Sequence, residues 1–285
     1  MGLMGAALAA APSAANAGAV DLFVERTVLH AADQRCGLLG PESSAALAAG
    51  AAQARGAALK QGLSERAARS LEQRARVRAG ELSCAAPELV QSARRVEDSF
   101  KGYARIIRMT YPGDQAAWRA DRTLAREARW RLSQESRFGR DRMIFGLAGR
   151  QAPGALMAVG LFADGAQPYG ARLVMRDTSR TLGPYLPQKG EAAGAGLAGR
   201  MPQGSALKAY IAEARSPAGA DLLPKEARDG WAIRFPADAV RALSELDPRE
   251  AVAVQFLFPG DRVRTAYVEV GDFAAGRAFV QMAAR

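Results

Sequence analysis

The chain has 285 residues, 49% of them apolar, with 39 Lys and Arg against 29 Asp and Glu and a formal net charge of +10. That is the composition of an ordinary globular protein, long enough for two domains or one large one. The basic residues are spread over both halves without a polybasic run or a reader motif, which argues against nucleic acid. No apolar run approaches the ~18 residues that cross a bilayer, which argues against a membrane-integral protein.

Met1 to Gly18 reads MGLMGAALAAAPSAANAG, apolar and uncharged, and ends its core at Ala15-Asn16-Ala17. An apolar core followed by a small-x-small site is the pattern of an export signal. The expectation is a leader over residues 1–17 and a mature protein of the periplasm or secreted from the cell. The first basic residue is Arg26, so the charged opening of such a signal is missing, and an Ala-rich tail is the alternative. In an exported protein the basic surface would draw anionic partners such as phospholipid headgroups or acidic envelope polymers.

Residues 18–125 read as a helical domain, rich in Ala, Arg, Glu and Leu and poor in β-branched residues. A first helix spans about Val20 to Arg35, with Leu22, Leu29 and Cys36 seven residues apart. After a break at Gly37–Pro41, a second runs from about Glu42 to Gln61 on a seam of Leu47, Ala51, Ala54 and Ala58, and Gly62 stops it. Ser64 caps a third helix, which runs to about Glu81 with Ala68, Leu71, Ala75 and Leu82 on one face. Its arginines, Arg66, Arg69, Arg74, Arg76 and Arg78, fall opposite that face and read as a solvated surface. A fourth helix, from Pro87 to about Met109, carries Leu89, Ala93, Val96, Phe100, Tyr103 and Ile107 at alternating spacings of four and three, a bundle seam. Asp114 then caps a short helix through Trp118.

Short connections make these helices antiparallel neighbours, so the end of the first and the start of the fourth can meet. Cys36 and Cys84 lie at those ends. In an exported protein the pair reads as one disulfide, a structural staple closing a loop of roughly 48 residues and worth about 4 kcal/mol in the chain-entropy model.

Residues 126–285 read as a β-rich domain of period two. The predicted strands are Trp130–Ser136, Arg142–Gly149, Ala155–Ala163, Ala171–Asp177, Ala206–Arg215, Gly230–Phe235, Ala251–Phe258 and Val263–Val270. Hairpins are expected at Asp164-Gly165 and at Pro259-Gly260-Asp261. Two short helices interrupt them, one starting at Pro236 and using Val240, Leu243 and Leu246, the other capped by Asp272 and using Phe273, Phe279 and Met282. Pro184 to Gln203 reads as a loop. The fold class is therefore α+β: an N-terminal antiparallel helical bundle followed by a mostly antiparallel, β-sandwich-like domain with two short helices.

Catalytic patterns are sparse. Gly194 to Gly199 matches G-x-G-x-x-G, but prolines flank it and no strand–helix unit holds it, so it reads as a loop. His30 is the sole histidine and sits mid-helix. Cys36 and Cys84 lie outside any C-x-x-C, no lysine stands in an S-x-x-K, and no metal-ligand spacing appears. The sequence implies no catalytic residue, no metal and no cofactor. Trp118-Arg119-Ala120-Asp121-Arg122 is the most suggestive stretch. Trp118, Arg119 and Arg122 place an aromatic ring and two cations near the domain junction, as an interdomain anchor or a ligand-contacting corner.

The closing stretch opens with Trp231-Ala232-Ile233-Arg234-Phe235-Pro236. It continues through a short helix and a hairpin to Val268-Glu269-Val270-Gly271-Asp272-Phe273-Ala274-Ala275-Gly276-Arg277-Ala278-Phe279. This order resembles small exported bacterial β-sandwich proteins of the invasion-associated locus B type, over about the last 60 residues and more loosely from Trp130. The cysteines typical of that family are missing from this half. The resemblance implies an exported β-sandwich and no known catalytic residues. The helical half is similar to N-terminal regions of uncharacterised proteobacterial exported proteins. The expected function is a non-enzymatic binding or interaction module of the cell envelope, with an envelope protein or an anionic envelope component as partner. The alternative is an envelope-acting hydrolase built on paired carboxylates, which requires a cleft with two facing acids, one of raised pKa.

Overall fold

The computed structural model describes residues 14–151, 153–186 and 196–282. The helical part comprises α1 (Ala14–Cys36), α2 (Pro41–Lys60), α3 (Glu65–Glu81) and α4 (Pro87–Ala104). Ser64 caps α3, its hydroxyl accepting from Ala67 N–H at 3.1 Å. The buried Asp33 carboxylate ties the α1–α2 connection by accepting from Leu39 N–H at 2.8 Å and from the Ser44 hydroxyl. Cys36 at the end of α1 and Cys84 just before α4 form a disulfide, Sγ–Sγ 2.03 Å with Cα atoms 5.6 Å apart. The expected leader falls outside the described residues except for its last four, with which α1 opens.

β structure begins earlier than composition suggests. α4 ends at Ala104, and the chain enters β1 (Arg108–Tyr111) and β2 (Trp118–Asp121) where the sequence pattern placed the end of one helix and the whole of another. Ile107, assigned to the α4 seam, is 50% exposed, while Ile106 packs on the core. There follow β3 (Arg129–Phe138), β4 (Asp141–Gly149), β5 (Ala155–Leu161), β6 (Gly170–Arg176), β7 (Leu207–Ile211), β8 (Ala214–Pro217), β9 (Trp231–Arg234), β10 (Ala251–Phe258) and β11 (Arg262–Glu269). Two further α-helices among the described residues are α5 (Ala237–Glu245), between β9 and β10, and α6 (Phe273–Gln281), after β11.

The strands form two antiparallel sheets, ordered β1-β2-β3-β4-β5-β9-β8 and β11-β10-β6-β7. The Gly260-Asp261 turn, both residues at positive φ, joins β10 to β11 as a true hairpin. Asp164-Gly165 does not make a hairpin: β5 pairs with β4 and β9, β6 with β10 and β7, and the turn carries the chain from one sheet to the other. The stretch read as one strand over Ala206–Arg215 divides for a related reason. Ala212 N–H bonds Ala171 in one sheet and Glu213 N–H bonds Arg234 in the other, so β7 and β8 are one extended run that changes sheet at a corner.

The inner faces share a single core. Leu132, Phe145, Leu147 and Leu156 of the larger sheet meet Leu173, Val252, Val254 and Phe256 of the smaller one, joined by Leu243 of α5 and Phe273 and Phe279 of α6. Ala46 and Ala49 of α2 belong to this same core, because α2 lies directly on α6. Its small residues permit that approach: a Cβ on Gly56 would come within 3.1 Å of the Asp272 carboxylate. The helices and the sandwich therefore bury one another.

A charged clasp reinforces the contact. Arg176 on β6 is 2% exposed, and its guanidinium donates to Glu65 of α3 at 2.5 Å and to Glu250 at 2.6 Å. Both carboxylates are also buried. Burial pushes the Glu250 pKa up against the opposing pull of Arg176.

Candidate functional site

Two of the three residues singled out at the domain junction are internal. Trp118 on β2 is fully buried, with its ring edge-on to Phe273 at 5.1 Å, and its indole N–H donates to the carbonyls of Glu269 at 3.2 Å and Val270 at 2.9 Å. Arg122 is also buried. It donates to the Ile106 carbonyl at 3.0 Å, and its guanidinium lies 5.2 Å from the centre of the Phe279 ring. Strand alternation turns Arg119 the other way, outward from the larger sheet.

Outside the sheet Arg119 stands in a cleft of about 470 Å³. β2, β3 and β4 make its floor through Arg119, Trp130, Ser133 and Ile144. One wall is the turn at Gln115–Ala117, and the other is the segment at Leu223–Glu226. A second depression of about 330 Å³ shares Arg119, Trp130 and Ser133 and extends the site towards Arg108, Asp121, Arg129 and Asp221.

A bulge in β3 shapes the floor. The register between β3 and β4 shifts between Trp130 and Leu132, opposite Leu147 and Ala148 and next to the Ser133–Gly146 pair. Gly146 has φ +152°, and a Cβ there would lie 1.9 Å from the Leu132 carbonyl, so only glycine fits. The extra residue sends Leu132 and Gln134 inward while Trp130 and Ser133 line the cleft. The Trp130 indole N–H is held by the Leu222 carbonyl at 3.0 Å.

The near wall is fixed from inside the molecule. The fully buried Glu269 carboxylate accepts from the N–H groups of Asp114 at 2.8 Å, Gln115 at 2.9 Å and Ala116 at 3.2 Å. Arg200 reaches the same place, 3.1 Å from the Asp114 carboxylate. A Cβ on Gly113 would meet the Ala116 carbonyl at 2.2 Å and the Glu269 carboxylate at 2.7 Å, which is why the turn needs glycine there. These contacts convert the expected Asp114-capped helix into a tight turn followed by a strand.

Around the cleft the arginines are paired, with one exception. Arg142 donates to Glu135 at 2.9 Å and to Glu226 at 2.6 Å, which holds the Glu226 carboxyl below the usual carboxylate range. Arg108 and Arg129 share Asp121 at 3.0 and 3.4 Å. Burial alone would raise the Asp121 pKa, but hydrogen bonds from Thr123 and Arg108 and the Arg129 charge bring it down overall. The exposed Arg119 guanidinium makes no hydrogen bond or ion pair among the described residues. It is a cation with an aromatic ring and a hydroxyl beside it and its donors unused.

The carboxylates do not assemble a hydrolytic pair here. Glu135 and Glu226 are both bound to Arg142, and the acids whose pKa is raised, the buried Glu250 and the part-buried Asp272 beside Lys60, line neither depression. Among the described residues no group of three or more His, Cys, Asp or Glu is placed to hold a metal ion. No helix among them is long and apolar enough to cross a membrane. His30 is half-buried on α1, within 3.2 Å of Gln34. The first two residues of the G-x-G-x-x-G stretch lie outside the described residues, and a short 3-10 turn occupies Ala198–Arg200. Sequence reasoning selected Arg119 but missed Trp130, Ser133 and Arg142, whose only local signal is outward alternation on β3 and β4.

No family model matches the chain, and no curated protein or solved structure matches it.

Proposed function

We propose that this protein is an extracytoplasmic, non-enzymatic binding module of the cell envelope, periplasmic or secreted, whose sheet-face cleft takes an anionic group of an envelope component. The carrying observation is Arg119, the cation left without a partner among the described residues in a cleft where Arg108, Arg129 and Arg142 are all paired. A guanidinium with free donors matches a carboxylate or phosphate in charge and geometry. Trp130 beside it supplies a rigid apolar surface. The Cys36–Cys84 disulfide supports an oxidising compartment. The ion-paired carboxylates of the cleft support binding over hydrolysis, because an acid catalyst needs its carboxyl raised.

Equilibrium binding to two soluble polyanions, polyphosphate and polygalacturonate, tests this reading. Wild type should bind at least one of them, weakening with added salt, and Arg119→Glu should lose about tenfold or more in affinity with its unfolding transition unchanged. Equal binding by the variant, or binding of neither probe, would overturn it.

A further inference from the structure

The helical half carries a second surface, independent of the cleft. Along α1, Val20, Val24 and Val28 recur every four residues and form the floor of a groove. α3 walls one side through Leu71 and Arg78, and the start of α4 walls the other through Leu89. Two adjoining depressions of about 580 and 550 Å³ share Val24, Val28, Leu71 and Arg78, so the groove is continuous. An apolar floor flanked by two helices is the setting in which a further helix packs in a bundle.

The two rims carry opposite charge. Arg74 and Arg78 stand on the α3 rim and outweigh Glu81 at its end, so that rim is net basic, whereas Asp21, Glu25 and Glu88 stand on the α1 and α4 rim. None of Arg78, Asp21, Glu25 or Glu88 forms a salt bridge among the described residues. An anionic lipid or polymer satisfies the basic rim but is repelled by the acidic one. A second copy would have to present an apolar helical stripe, and on α3 and α4 the one large apolar side chain exposed among the described residues, Val77, stands among Arg66, Arg69, Arg76, Arg94, Arg95 and Lys101.

We propose that this groove docks an amphipathic helix of a partner protein, with its apolar stripe on Val20, Val24 and Val28, an acidic flank over α3 and a basic flank over α1 and α4. The binding mode is helix-in-groove recognition, in which i, i+4 anchors supply affinity and rim charges set orientation. With one site on the sheet face and another on the bundle, the protein is built as an adaptor. The groove stands whether or not the cleft binds an anion.

The test uses three synthetic 18-residue helical peptides sharing one leucine stripe, with flanks Glu/Lys, Glu/Glu or Lys/Lys. Exchanging the flanks of the first peptide is no control, because a helix can turn end for end in the groove. The Glu/Lys peptide should bind about tenfold tighter than either other. Val24→Asp should abolish its binding. The exposed pair Arg74→Glu and Arg78→Glu, which makes both rims acidic, should switch the preference to Lys/Lys. Equal affinity for the three peptides, no binding, or no switch in the double variant would overturn the proposal. So would a peptide-free dimer abolished by Val24→Asp, or retention on anionic phospholipid vesicles lost in the arginine double variant, since either places a different occupant in the groove.

Discussion

The side chain of Gln134 and the backbone of Glu269 exchange two hydrogen bonds, Gln134 Nε2 donating to the Glu269 carbonyl at 3.2 Å and Glu269 N–H donating to Gln134 Oε1 at 2.9 Å. Gln134 lies on β3 of the larger sheet and Glu269 ends β11, the edge of the smaller one. A side-chain amide thus completes the pairing that an adjacent strand would provide, and it closes the sandwich on the side opposite the β7–β8 corner. The same Glu269 holds the turn that walls the cleft, so fold closure and site geometry meet at one residue.

Gln134→Leu keeps the volume but strips Glu269 N–H of its partner in a buried setting. The Glu269 carbonyl retains the Trp118 indole. The expected loss is about 2 kcal/mol, measured by urea unfolding.

Arg176→Met strips the buried Glu250 of its bonded counter-charge and leaves Glu65 beside it with Arg69, at 3.2 Å, as its remaining partner. The expected destabilisation is about 3–5 kcal/mol. The Glu250 pKa is already raised in the folded protein, and removing Arg176 raises it further. Its contribution is therefore fully present below the ordinary glutamate value and is lost as pH rises through the folded value. The gap between variant and wild type should widen from pH 4 towards pH 7.

Much of this architecture was legible in the sequence. β10 spans Ala251–Phe258 as expected, because Val252, Val254, Phe256 and Phe258 alternate within one strand buried by one core. Ser64 and the Cys36–Cys84 bridge were equally readable, the one from local capping chemistry and the other from helix ends that short loops bring together. What escaped depends on distant partners. Asp114 to Trp118 reads as a capped helix until Glu269, 155 residues beyond Asp114, takes the N–H groups of the turn. The Asp164-Gly165 turn has the local chemistry of a hairpin, and only the competing pairings of β5 with β9 and β6 with β10 send its strands into different sheets. Trp130 and Ser133 fall on the cleft side because of a bulge accommodated by Gly146 on the neighbouring strand, which shifts the period-two pattern out of phase.

Removing the disulfide by Cys36→Ser with Cys84→Ser should cost about 4 kcal/mol by the chain-entropy relation. A thiol assay on unfolded wild-type protein should find no free thiol before reduction and two after, matching the single bridge between the chain's two cysteines.

His30 supplies a pH dependence of defined sign. Burial pulls its pKa below the ordinary value of 6.5, with Asp33 opposing and Arg76 assisting. The folded state then binds fewer protons, so the contribution is present above the unfolded pKa and is lost as pH falls through the folded one. Because His30 is the only histidine, the stability difference between wild type and His30→Gln should increase from pH 5.5 to pH 7.5, followed by thermal unfolding across that range.

Contact with the envelope through the Arg119 cleft is tested most directly by site-specific photocrosslinking in native envelope. A benzophenone side chain is placed either at Ser133 in the cleft or at the exposed Lys208 on the smaller sheet. The binding reading predicts a discrete adduct from position 133, none from position 208, and loss of the adduct when Arg119→Glu is added. Absence of an adduct at 133, or an adduct that survives Arg119→Glu unchanged, would contradict it.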